Sequence, residues 1–131
     1  MTLTEKQMQF VELFLSMESW NERFQYLIDA GSVLPDMPGH LKCEATRIQS
    51  CTSRTYFRAF WSGGVIRIEG WSNASIPAGL IAVIKDIFDG CTAGELMGTD
   101  INFHTETGLL QNLTEQRKAG LLEMTTRLRM F

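Results

Sequence analysis

Three cysteines and two histidines are the side chains of this 131-residue sequence with the most direct route to covalent or metal chemistry. Cys51 is set apart by its surroundings. In residues 47–56, RIQSCTSRTY, it lies among Ser50, Thr52 and Ser53, just ahead of a run of β-branched and aromatic residues. A free cysteine is most often a small buried hydrophobe. Polar neighbours at a loop-to-strand junction instead suit a thiol that has to be reached. Arg47 and Arg54 are near enough in sequence to favour its thiolate, the nucleophilic form. Cys43 sits in a polar stretch, LKCEAT, and reads as an exposed thiol, whereas Cys91 follows Gly90 and reads as a small residue in a turn.

Two other chemistries compete for these residues. A zinc site needs about four ligands, usually clustered in short pairs such as C-x-x-C, and none of the cysteines is paired in that way. A cysteine hydrolase would place His40 or His104 beside Cys51 with a third group to orient it; neither histidine carries a local signature, and spacing alone leaves that arrangement open. Arg117 falls in the first turn of the last helix, where a cation meets the positive end of the helix dipole. By itself it reads as a solvated side chain. Arg127 and Arg129, near that helix's C-terminus, complement its dipole.

The elements that must position these groups are legible from caps and periodicity. Thr4 with Gln7 predicts a capping box, followed by Met8, Val11 and Leu15 on one helical face. Ser19 with Glu22 predicts a second cap, with Trp20, Phe24, Leu27 and Ile28 at helical spacing and Gly31 as the C-terminal cap. Residues 33–39 hold Pro35, Pro38 and Gly39 and read as a loop. From Thr55 the chain turns β-like, with Ser62-Gly63-Gly64 as a turn and residues 65–71, VIRIEGW, as the returning strand. Residues 76–88 predict a largely buried helix, with Pro77 tolerable only in its first turn and Asp89-Gly90 as the stop. Thr92 with Glu95 caps a brief helix to Met97. A loop runs through Asp100 and Gly108, and Thr114 opens a last helix to about Arg129, with Leu121, Met124, Thr125 and Leu128 on one face. The predicted fold class is α+β, a single domain over residues 1–131 with helices packed mainly on one side of a small antiparallel sheet.

Composition narrows the function. Hydrophobic residues make up 44% and charged residues 21%, which suits a folded chain rather than a disordered one. A net charge of -3 argues against a nucleic-acid binder, which usually carries a basic surface. No run approaches the roughly 18 apolar residues of a membrane span. The first residues, MTLTEKQMQF, lack the basic-then-apolar pattern of a secretory signal, so reduced thiols and a cytoplasmic location are expected.

Several stretches together resemble the SufE family, the sulfur-acceptor proteins that partner cysteine desulfurases in iron–sulfur cluster assembly. "IQSCTSRTY" occupies the place of the family's Gly-Cys-Gln-Ser-like loop. "SNASIPAGL", residues 72–80, is similar to its Ser-Asp-Ala segment and following helix. "TAGEL" from Thr92 resembles its short Thr-Pro-x-Glu-Ile helix, and "LTEQRKAGL", residues 113–121, its Leu-Ser/Thr-x-x-Arg-x-x-Gly-Leu segment. "WNERFQYLIDAGSVLP" is similar to the family's second helix. The resemblance implies a SufE/NifU-like fold with a three-stranded sheet. It implies Cys51 as the sulfur-accepting cysteine, Arg117 as a supporting residue, and Ser72, Asn73 and Ala74 packed near the loop of Ser50 and Thr52. Ser53 and Arg54 are supporting residues on spacing alone. Its implied partners are a SufS-like cysteine desulfurase and an iron–sulfur scaffold as downstream acceptor, with a homodimer compatible and with no nucleic acid or membrane involved. No resident cofactor or metal is implied, pyridoxal phosphate belonging to the desulfurase. The alternatives are a family member that only binds a desulfurase, or a metal or cluster scaffold. The sequence departs from the family pattern at Ser50 (glycine), Asn73 (aspartate), Tyr56 (tryptophan) and Ala119 (a polar residue).

Overall fold

In a computed structural model that describes residues 1–129, the chain runs α1 (Leu3–Ser16), α2 (Trp20–Ser32), β1 (Thr55–Ser62), β2 (Val65–Ser72), α3 (Ser75–Phe88), α4 (Ala93–Gly98), α5 (Phe103–Glu106) and α6 (Glu115–Arg127). The α+β class is therefore observed. Ser19 caps α2 by accepting from the Glu22 amide, and Thr92 and Glu95 form a reciprocal box on α4. Gly63 and Gly64 both take positive φ (61° and 83°) between the paired residues Ser62 and Val65. That is the geometry of a two-residue hairpin turn, which matches the right-handed twist of the strands it joins.

The predicted start of α1 is displaced by one half-turn. Thr2 with Glu5, rather than Thr4 with Gln7, makes the capping box. The buried stripe is Leu3, Gln7, Phe10 and Phe14, while Met8 and Leu15 are exposed. Gln7 is taken inward because the backbone of residues 100–103 needs it. Its Oε1 accepts from the amides of Asn102 (2.9 Å) and Phe103 (3.0 Å), and its Nε2 donates to the Asp100 carbonyl (2.8 Å). Those bonds hold α5, which sequence reading merged into a loop, against Phe10 and Phe88 through Phe103. Gln7→Met fills similar volume but strands two amides and a carbonyl. It is expected to cost about 2–4 kcal/mol, read as a lower urea midpoint with an unchanged slope.

Gly31 is not a cap. It lies inside α2 where that helix crosses α3, and Val33 is the C-cap. A methyl on Gly31 would lie 2.6 Å from the Gly79 amide, so the two backbones meet directly at this crossing. On its other side α3 rests on β2, with Ile81 over Gly70.

Among the described residues the sheet has two strands, not three. A flanking segment approaches each edge and leaves after a single bridge: Arg47 opposite Tyr56 beside β1, and Thr92 opposite Val65 beside β2. The first turns off because Ile48 donates to Thr55 and its own carbonyl then takes the Cys51 amide (3.3 Å), folding the chain into a loop. The second is bonded to Ile66 of β2 through the Gly90 amide (2.7 Å) and the Cys91 carbonyl (2.9 Å), and is then turned away by the cap of α4 at Thr92.

Candidate functional site

The loop of residues 49–54 carries Cys51 between the Ile48 turn and β1 and lies across α6. Its Sγ is seated on that helix at Gly120, where a Cβ would overlap the sulfur. Cys51 is 8% exposed, so the thiol is retracted rather than presented. Beside it opens a cleft of about 520 Å³ lined by Cys51, Thr52, Ser53, Pro77 and the first turn of α6, including Arg117.

The loop is braced from both sides. Ser53, Thr55 and Ser72 form a chain of hydroxyls (3.1 and 2.8 Å), and Ser72 Oγ also accepts the Ala74 amide (3.2 Å). Asn73 and Arg54 bond reciprocally, the Arg54 amide to Oδ1 (3.0 Å) and the Asn73 amide to the Arg54 carbonyl (3.1 Å). An oxygen acceptor is all that position 73 supplies here, so asparagine serves where the family pattern has aspartate. Thr52 Oγ1 donates to Gln116 on α6 (3.0 Å). Ser50 adopts no positive φ, a conformation found only at glycines among the described residues. It bonds to Glu123 instead, its amide at 3.0 Å and its Oγ at 2.6 Å.

Burial pushes the Cys51 thiol above its ordinary pKa; a hydrogen bond from Thr55 pulls it down, Glu123 pushes it up, and Arg47 pulls it down. The net shift is upward, so the resting group is a thiol. Alkylation of Cys51 is therefore expected to keep climbing beyond about pH 8.5, where an ordinary cysteine is half ionised. Iodoacetamide kinetics followed by peptide mapping checks this. A plateau below that pH would contradict it.

The structure brings Cys51, Ser53, Thr52, Ala74 and Arg117 to one cleft. Arg117 is exposed, and its guanidinium makes no ion pair among the described residues. Arg54 is placed elsewhere, with its guanidinium 5.5 Å above the Trp71 ring. Neither histidine lines the cleft. His104 is 7% exposed, with burial lowering its pKa and Nδ1 unpartnered among the described residues, and His40 is on the surface. Cys43 is exposed, and Cys91 is buried in the core, where burial raises its pKa. Among the described residues no three His, Cys, Asp or Glu side chains converge as a metal site would require.

Sequence reading missed Gly120, Glu123 and Thr55, and gave Arg127 too small a part. Arg127 does more than face a helix dipole: Nη1 donates to the carbonyls of Thr46 and Phe57 (both 3.2 Å) and Nη2 to that of Arg47, while pairing with Glu123 (2.9 Å). The i,i+4 spacing of Glu123 and Arg127 was the available signal.

Fold and site thus define a small α+β protein with a single thiol withdrawn into a loop beside an arginine-bearing cleft. Its sequence matches the SufE family model, an Fe-S metabolism associated domain, over residues 8–131, and the chain belongs to that family. It is 30% identical over 126 residues to an uncharacterized SufE-like protein of Rhizobium meliloti (strain 1021), covering 92% of this chain and 90% of that one. A second SufE-like protein, from Rhizobium etli, is 29% identical over 126 residues, covering 92% and 85%. The solution structure of a hypothetical protein from Thermus thermophilus shares the fold, with TM-score 0.72 and 22% identity over 95% of this chain and 93% of that one. Among the described residues no helix is long and apolar enough to cross a membrane.

Proposed function

We propose that this chain is a sulfur acceptor: Cys51 takes sulfane sulfur from a pyridoxal-phosphate-dependent cysteine desulfurase and passes it to an iron–sulfur scaffold. The observation that carries this is the seat of Cys51. A lone thiol lies on a loop beside an open cleft, with no histidine in the cleft to act as a hydrolase base. Membership of a family tied to Fe–S metabolism supplies the chemical context.

In the first step the Cys51 thiolate attacks the outer sulfur of the desulfurase's cysteine persulfide. The S–S bond of that persulfide breaks, its electron pair leaves on the desulfurase thiolate, and a new S–S bond forms on Cys51. The proton lost by Cys51 matches the one the leaving thiolate can take up. No net oxidation occurs, and the rate depends on thiolate fraction and access, as in thiol–disulfide exchange. Arg117, which lines the cleft, supplies the positive charge that stabilises the resulting anion. Burial and the raised pKa both lower the reactivity of Cys51 at rest, and docking that draws the loop outward would relieve both. The same retraction shields the thiol from oxidants between cycles.

Incubation with a cysteine desulfurase and cysteine, followed by mass spectrometry without reductant, is expected to show one added sulfur on the Cys51 peptide. Stable complex formation with no sulfur on Cys51 would favour the binding-only alternative.

A further inference from the structure

One side of α6 serves the Cys51 loop at nearly every turn. Arg117 lines the cleft, Gly120 lies beneath Sγ, Glu123 lies beneath Gln49 and Ser50, and Arg127 reaches the carbonyls of Thr46, Arg47 and Phe57. The 3- to 4-residue spacing is that of a single helical face.

Glu123 is the centre of this arrangement. Its Oε1 accepts the Ser50 amide and hydroxyl, and its Oε2 accepts the Gln49 amide (3.2 Å) and Arg127. Every partner is a donor, so the group has to be a carboxylate; an amide in either orientation would aim an NH2 at one of them. Burial would raise its pKa, but the bonds from Ser50 and Gln49 and the Arg127 charge outweigh burial and hold it below the usual range.

We propose that Glu123 is the positioning residue of this loop, its carboxylate tying Gln49 and Ser50 to α6 and thereby setting how readily the Cys51 thiol leaves its seat. The assignment rests on the sulfur-acceptor reading for its purpose, but its geometry is independent of it. Ser50 acquires a definite part. Where the family pattern has glycine, this chain adds a hydroxyl that donates the shortest of the three loop bonds to Glu123. The same carboxylate repels negative charge on Cys51, so an anion formed there favours the released loop, while Arg47 acts in the opposite sense.

The test is the alkylation rate of Cys51 at neutral pH, with the buried Cys91 as internal control. Glu123→Gln is expected to raise the Cys51 rate about ten-fold or more, as loss of hydrogen bonds to a charged acceptor implies, and leave Cys91 protected. Ser50→Ala, which removes only the hydroxyl bond, is expected to raise it by about two- to five-fold. Should Glu123→Gln fail to fold, Ser50→Ala decides alone. Unchanged Cys51 rates, or an equal rise at Cys91 showing general loosening, would overturn the assignment. Sulfur loading in the same variants separates the two ideas. Wild-type loading on Cys51 with no change in alkylation sinks only the positioning role. Faster alkylation with no loading in any protein upholds the positioning role and sinks the acceptor reading.

Discussion

Cys51→Ser is expected to reduce desulfurase-dependent sulfur uptake to background, while Cys43→Ser and Cys91→Ser retain it. The hydroxyl cannot attack a persulfide sulfur at neutral pH, and no neighbouring thiol can substitute. Cys91 is 2% exposed within the core, and Cys43, though exposed, is outside the cleft lining. Serine also fits the site without damage, because the sulfur rests on Gly120 and a slightly smaller atom needs no adjustment there. Thermal stability should therefore stay close to wild type while sulfur transfer disappears. Persulfide mapped to Cys43 or Cys91 in the wild-type protein, or full uptake by Cys51→Ser, would refute the acceptor role.

The largest loss of stability is expected at Gly79. This residue sits where α3 passes under α2, and a Cβ there would be driven into the Leu27 carbonyl, with the carbonyl carbon only 2.6 Å away. The obstacle is backbone, which cannot swing aside as a side chain can. Gly79→Ala must lift α2 off α3, opening the contact at the buried Leu27. Overpacking ordinarily costs about 1–3 kcal/mol, and a clash with helix backbone belongs at or beyond the top of that range. For a chain of this size that lowers the melting temperature by about 10 °C or more. Gly94→Ala is the matched control, since Thr92 Oγ1 at 4.0 Å is the nearest atom its methyl would meet. Its melt should stay within a few degrees of wild type. A comparable melt for Gly79→Ala would show that the helices cross less closely than described.

Sequence reading succeeded where a few adjacent residues settle the outcome. Ser19 with Glu22, Thr92 with Glu95, and the Gly63-Gly64 turn each satisfy backbone groups or φ requirements within about four residues. It failed where a distant segment chose between locally similar options. The helix of α1 offers two plausible stripes, and hydrophobicity favours Met8, Val11 and Leu15. The stripe with Gln7 is buried because three backbone groups more than ninety residues away require that amide. Gly31 likewise suits a helix end by local rules, and only the approach of α3 turns it into a crossing point. The short α5 was invisible because four residues are too few to display a helical period. The third strand, an implication of family resemblance, shrinks to isolated bridges because the Ile48 turn and the Thr92 cap of α4 take the flanking segments off the sheet.

The site divides in the same way. The order and types of residues, by themselves, determined the hairpin, the caps at Ser19 and Thr92, and the family pattern, since each depends on neighbours in the chain. Only the tertiary structure decided that the thiol is withdrawn, that Gly120 is its seat, that Arg54 turns to Trp71, and that Glu123 holds the loop. Ser50 and Glu123 are 73 residues apart. Neither position carries a local signal for the other, because a hydrogen bond between a loop and a helix exists only after the core has brought the two together.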